Sequence, residues 1–171
     1  MQATARDSAL SLTLPNAAAT AALAERLSPE LRSGDVILVQ GPIGAGKSHF
    51  CRSLITARLA ALGRAEDIPS PTFTLVQTYD LDGIEIWHCD LYRLGLSDDL
   101  AELGLDEAFE TAICLVEWPD RLGDRAPSDA LTLSLVPDSA GEAREAQLSS
   151  TAPRWHPVIA GLSNMAGELD D

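Results

Sequence analysis

Gly41-Pro42-Ile43-Gly44-Ala45-Gly46-Lys47-Ser48 decides the reading of this chain: it satisfies G-x-x-x-x-G-K-[ST] and holds the single lysine among twelve Lys and Arg residues. Arginine fills the other strongly basic positions, so an ammonium is kept where a guanidinium fails. A loop wrapped around phosphate is such a place. Successive backbone N–H groups line the anion, and a compact charge reaches between its oxygens where a planar fork does not fit. The glycines let the backbone approach where a Cβ would collide, and the Ser48 hydroxyl is suited to a Mg²⁺ on the β- and γ-phosphates.

The flanks of the loop agree with it. Asp35 to Gln40 reads as a buried strand with the continuous apolar run Val36-Ile37-Leu38-Val39, as parallel strands do. Cys51, Leu54, Ile55, Leu59 and Leu62 then recur at helical spacing, and Gly63 terminates the segment. A helix N-terminus following the loop adds its own attraction for an anion. Strand, loop and helix together predict a nucleoside triphosphate site.

Further out, Leu10, Leu12 and Leu14 alternate with polar residues as a half-buried strand ending at Pro15, and Asn16 caps a helix from Ala17 to Leu27. Residues 63–72 form a loop ending in Ser70-Pro71-Thr72. Phe73 to Tyr79 and Ile84 to Cys89 read as a hairpin turning at Asp82-Gly83. One short acidic helix or a pair spans about Ser97 to Phe109, with Ser97 as N-cap and Asp98 and Asp99 at the positive end of the dipole. Ile113 to Val116 is a second buried strand, Leu131 to Val136 a third, and residues 144–149 add an edge strand.

With 171 residues and 46% hydrophobic content the chain is the size of one domain. Its net charge of −14 repels nucleic acid, so strong direct binding to RNA or DNA is not expected. Between Arg93 and Arg121 there is no basic residue, while Asp98, Asp99, Glu102, Asp106, Glu107, Glu110, Glu117 and Asp120 are acidic, which reads as a solvated face or a docking surface for a basic partner. Cys51, Cys89 and Cys114 stand apart in apolar stretches, as buried thiols of a reducing compartment do. His88-Cys89-Asp90 is a poor zinc motif, since neighbours on a strand point to opposite faces and no second cluster completes the shell. No signal-peptide core or membrane-length apolar run is present, and the expectation is a cytoplasmic monomer that does not engage membranes.

A phosphate loop needs an acid for its metal at the end of a neighbouring strand. Glu117, after Ile113-Cys114-Leu115-Val116, is the better match, and Asp90, after Ile86-Trp87-His88-Cys89, is the other. One acid can bind metal while the second orients the attacking water. Thr72 is a candidate sensor of the γ-phosphate. Asp80-Leu81-Asp82-Gly83 and Asp120-Arg121-Leu122-Gly123 fit the weak D-x-x-G pattern of guanine-nucleotide proteins, but N-K-x-D is impossible without a second lysine, so adenine is favoured.

Taken together, Gly41 to Ser48, Ser70-Pro71-Thr72-Phe73-Thr74-Leu75, His88-Cys89-Asp90-Leu91-Tyr92-Arg93-Leu94, Glu102-Leu103-Gly104-Leu105-Asp106-Glu107 and Ile113-Cys114-Leu115-Val116-Glu117-Trp118-Pro119 resemble the bacterial tRNA threonylcarbamoyladenosine biosynthesis ATPases, the TsaE (YjeE) family. The resemblance covers Gly34 to Pro119. It implies an α/β fold, a three-layer P-loop NTPase with a mixed central sheet flanked by helices. It implies ATP and Mg²⁺ as cofactors, slow hydrolysis alone, and work with TsaB and TsaD in modifying tRNA beside the anticodon. Residues 1–150 would be the ATPase domain and residues 151–171 a tail whose packing the sequence leaves open.

Carried over residue by residue, the resemblance makes Lys47, Asp90 and Glu117 catalytic, and Ser48, Glu117 and Asp90 the metal positions. Gly41, Pro42, Ile43, Gly44, Ala45, Gly46, Lys47, Ser48, His49, Thr72, Trp118 and Arg144 become the nucleotide contacts. His49 departs from the Thr or Ser more usual there. Leu14-Pro15-Asn16 and Thr20 fall where the family holds the adenine edge. The alternatives are a small kinase, for which Arg121 and Arg125 are the clustered lid candidates, and a non-catalytic ATP switch.

Overall fold

The computed structural model describes residues 8–94 and 99–168. Seven strands form one mixed sheet: β1 (Ser8–Leu14), β2 (Val36–Gln40), β3 (Val76–Leu81), β4 (Ile84–Asp90), β5 (Ile113–Glu117), β6 (Leu131–Pro137) and β7 (Arg144–Ser150). Their order is β1-β7-β6-β2-β5-β4-β3. The four central strands β6, β2, β5 and β4 run parallel, while β3 and β7 pair antiparallel at the two flanks and β1 closes the far edge. The segment at 144–149 is thus a strand as expected, but not an edge strand. β1 pairs with it along its whole length, because Leu10, Leu12 and Leu14 need the same apolar face that Ala146 and Leu148 cover.

Period-two alternation divides the core into two layers. Ile37, Val39, Ile113, Leu115, Leu131, Leu133 and Leu135 face one side, where α1 (Ala17–Leu27) and α2 (Lys47–Ala61) pack. Val36, Leu38, Cys114 and Val116 face the other, covered by the short helices α3 (Asp99–Glu102) and α4 (Leu105–Thr111) with Leu94 and Leu122. Helices on both faces of a mixed sheet make the α/β, three-layer architecture that the family resemblance implies. Among the described residues no helix is long and apolar enough to cross a membrane.

Local chemistry sets the boundaries. Asn16 accepts from the Ala19 N–H at 2.9 Å, capping α1 as predicted. The hairpin turns at Asp82 and Gly83, with φ of 54° and 91°, as a two-residue turn between right-twisted strands requires. β3 begins at Val76, not at Phe73: Leu75 has φ 67° and its N–H reaches back to Pro71 O at 2.7 Å, so residues 71–74 are a turn. The predicted acidic helix is a pair, and the Ser97 cap and Asp98 lie outside the described residues.

The tail that the sequence left open is packed. A 3₁₀ turn at Pro153–Trp155 leads into α5 (His156–Leu162), and Trp155, Val158, Ile159, Leu162 and Met165 are buried in the same core layer as α1 and α2. Burial of such side chains is worth about 1.5–3 kcal/mol each before ordering costs. Trp155 Nε1–H donates to Asp129 O at 2.9 Å, and the Arg154 guanidinium donates to Asp35 at 2.7 Å and to Glu30 O. These bonds tie the tail to the segments that lead into β2 and β6.

Candidate functional site

Parallel strands end side by side, and ligands of open α/β sheets bind beyond their carboxyl ends. Here the register sets Asp90 beside Glu117 and Glu117 beside Val39, two residues before the loop that leaves β2 at Gly41. Two acids and the phosphate loop therefore meet at one edge without any long-range search.

The loop's shape depends on two glycines above all. A Cβ on Gly41 would stand 2.3 Å from Leu135 O, so only glycine lets the loop pass over β6. Gly46 has φ 97° at the N-cap of α2, a backbone conformation that side chains resist. Lys47 then opens the helix with its Nζ curled over the loop, donating to Gly41 O at 2.7 Å and Pro42 O at 2.8 Å. The same ammonium lies 4.1 Å from the centroid of the Trp118 ring. Burial holds the Lys47 pKa below the ordinary 10.5, and the charges of Glu117 and Asp90 pull it partly back.

Trp118 owes that place to its backbone. It adopts φ 57° directly after β5, an uncommon conformation for a bulky residue, and it turns the indole across the lysine and against Tyr92 at 4.8 Å between ring centroids. Such strain, on the order of 1–3 kcal/mol, persists where the surroundings over-determine it.

The acids are held differently. Glu117, only 2% exposed, accepts from Ser48 Oγ at 2.8 Å on Oε1 and at 3.1 Å on Oε2, and Oε2 also accepts from His88 Nε2 at 2.7 Å. Asp90 accepts from the Tyr92 N–H at 3.0 Å and has a long contact, 3.4 Å, with the Thr72 hydroxyl. Thr72 is nearer to Ser70, at 2.8 Å. A hydroxyl and two carboxylates beside a cradle of amides are hard oxygen donors on one side of an anion pocket, the donor set Mg²⁺ takes.

A cavity of about 430 Å³ opens over these groups, and its lining includes the loop from Ile43 to Ser48 with Thr72, Asp90, Glu117 and Trp118. His49 lines it too, but its Nε2 donates to Ala17 O at 2.9 Å and so ties α2 to the start of α1. Arg144 is not among the lining residues. Its guanidinium grips the loop from the carbonyl side, donating to Ala45 O at 2.9 Å and Gly44 O at 3.1 Å. Asn16 is occupied as a helix cap and Thr20 is buried, and neither Leu14, Pro15, Asn16 nor Thr20 lines this cavity. A wider neighbouring cleft, about 620 Å³, shares His49 and Arg52 but contains no phosphate cradle.

Three residues of the site lay outside the sequence reading: Tyr92 and Arg52, which line the cavity, and His88 behind Glu117. Tyr92 and His88 stand within the segment from His88 to Leu94, but only the packing shows what they touch. The zinc argument also misses a gathering that the fold produces. Cys51, His88 and Glu117 are all buried, and their ligating atoms lie within 4.8 Å of one another. The Cys51 thiol is pushed well above the ordinary cysteine value, first by burial and then by the nearby Glu117.

Known proteins agree on the fold and the lineage. Residues 14–146 match the family model "Threonylcarbamoyl adenosine biosynthesis protein TsaE". A tRNA threonylcarbamoyladenosine biosynthesis protein TsaE from Streptomyces coelicolor is 32% identical over 85% of this chain and 98% of its own length. The Bacillus subtilis protein of that name is 30% identical over 84% and 87%. The one from Rickettsia felis is 40% identical over 64% of this chain, and the match spans 62% of that relative's length. The crystal structure of Bacillus subtilis YdiB superposes with a TM-score of 0.72 over 97% of this chain and 99% of its own, at 23% identity, a likeness of fold.

Proposed function

This chain belongs to the TsaE family, and from that premise we propose that it binds and hydrolyses Mg·ATP as a subunit of the machinery that forms threonylcarbamoyladenosine in tRNA. The observation that carries the reading is the convergence of Lys47, Ser48, Asp90 and Glu117 on one cavity at the carboxyl ends of adjacent strands. The amides of residues 43–48 and the Lys47 ammonium bind and orient the phosphates. For Lys47 this means exchanging the carbonyls of Gly41 and Pro42, wholly or in part, for phosphate oxygens.

Ser48 and Glu117 would hold Mg²⁺, which when bound neutralises charge on the β- and γ-phosphates. Ser48 Oγ already donates its proton to Glu117, which leaves its lone pairs for a cation. Asp90, held mainly by one backbone N–H, orients and deprotonates the attacking water. Trp118 and Tyr92 wall the site against bulk solvent.

TsaB and TsaD are the proposed partners, and tRNA is reached through them, since a charge of −14 works against direct binding. Phosphate release from ATP, followed with Mg²⁺ alone and then with purified TsaB and TsaD, tests the reading. Slow release that the partners accelerate is expected. ATP bound tightly with no release even in the full assembly would make the chain a switch, and transfer of phosphate to a metabolite would make it a kinase.

A further inference from the structure

We propose that His88 is a positioning residue for the metal site: its imidazole fixes the rotamer of Glu117 and thereby sets affinity for the divalent cation without touching the nucleotide. The inference rests on the Mg·ATP reading above and deepens it.

His88 lies in the middle of β4, two residues before Asp90 and so on the same face of the sheet. It pairs in register with Leu115, and its side chain reaches along β5 to Glu117. The ring is fully buried and Nε2 stands 2.7 Å from Glu117 Oε2. An ionised carboxylate only accepts, so Nε2 carries the hydrogen of that bond. Nδ1 has no partner. A histidine serving only to fill the core would leave two polar atoms to satisfy, and the single bond this one makes is to the acid at the centre of the site.

The geometry explains what that bond does. The terminal torsion of a glutamate is broad and nearly two-fold, so a strand-end Glu117 held by Ser48 alone could swing its carboxylate about the Ser48 hydroxyl. His88 takes Oε2 from beneath the sheet end while Ser48 takes Oε1 from α2. Held from two elements, the carboxylate plane is set before any cation arrives. Cys51, packed on the same cluster, helps confine the ring. None of His88's hydrogen bonds reaches Lys47 or the loop amides, so nucleotide contacts should survive its loss.

The test compares the gain in ATP affinity that Mg²⁺ confers, by calorimetry in EDTA and in saturating Mg²⁺, across the native protein, His88→Phe, His88→Gln and His88→Asn. Phe keeps the ring volume without a donor. Gln offers an N–H where Nε2 stands, and Asn offers one too short to reach. We expect His88→Phe and His88→Asn to lose about tenfold of the Mg²⁺-dependent gain with ATP affinity in EDTA within about twofold of native, and His88→Gln to restore most of it. If His88→Phe does not fold, the Gln and Asn pair decides. An equal Mg²⁺ gain in all folded variants, or an equal loss in EDTA and Mg²⁺, overturns the proposal while leaving the ATP site standing. A native protein that binds no ATP under either condition would overturn the site reading itself, and this inference with it.

Discussion

The ends of β4 and β5 lie side by side in register, carry one acid each, and are built to opposite specifications. Glu117 is gripped on both oxygens by Ser48 and His88 and backed by a strained Trp118. Asp90 is buried too, yet it rests on one backbone N–H and a 3.4 Å contact with Thr72, which itself belongs to a turn outside the sheet. A group that must present a cation with fixed geometry gains from being locked, whereas one that takes a proton from water needs a free lone pair and room to shift. On the proposed reading, neighbouring positions on one sheet edge would serve different chemistry because of what stands behind them.

The largest effect should come from the residue both ends share. Lys47→Ala removes the ammonium proposed to bind the phosphates, and ATP turnover should fall by on the order of 100- to 1,000-fold in a phosphate-release assay. Unchanged turnover would dissolve the comparison, since neither acid would then face a reacting phosphate. Next, Asp90→Ala should slow turnover roughly 100-fold while ATP affinity stays near native, as loss of a proton acceptor does.

Glu117→Ala should instead raise the Mg²⁺ needed for half-maximal turnover, by about tenfold or more, with ATP binding in EDTA kept. Equal loss of binding in both variants would erase the proposed division between the ends.

The smallest effect concerns the floor beneath them. Cys89, Cys114 and Cys51 are buried thiols with raised pKa values, Cys114 to about 12, chiefly through burial. Unfolding lets them ionise near the ordinary value of 9.0, so the stability they contribute is whole below that pH and is lost as pH climbs toward their folded values. The slope should approach about 1.4 kcal/mol per pH unit for each thiol, and Cys114→Ala should flatten it in urea melts taken from pH 8 to 10.5. An unaltered slope would mean that this floor opens to solvent.

How far the sequence could be read follows from how local each signal was. The phosphate loop, the strand before it and the helix after it are contiguous, and their glycines and apolar spacing carry the geometry with them. The acids at 90 and 117 were legible because each ends an apolar run. Where two distant segments had to meet, the reading stopped. Residues 144–149 are a strand by pattern, yet their place inside the sheet depends on β1, which lies more than a hundred residues earlier. The resemblance makes Arg144 a nucleotide contact; its guanidinium reaches the phosphate loop on the carbonyl side, at Ala45 O and Gly44 O, and also bonds Gly141 O and Ala143 O, a matter of side-chain direction that spacing does not encode. His88 entered the sequence reading within a poor zinc motif, whereas the fold sets its Nε2 2.7 Å from Glu117 Oε2 on the neighbouring strand.

By itself the chain gave the strand, glycine-rich loop and helix around residues 41–48 and an acid after each of two strands, because backbone freedom, hydrophobic period and charge are properties of short segments, while its three-layer fold class came through the family resemblance. Tertiary structure alone decided that the tail after Thr151 completes the core, that β7 lies inside the sheet, and that one acid is clamped while its neighbour is not. Those outcomes depend on atoms brought together across dozens of residues, where packing, and not local preference, selects the partner.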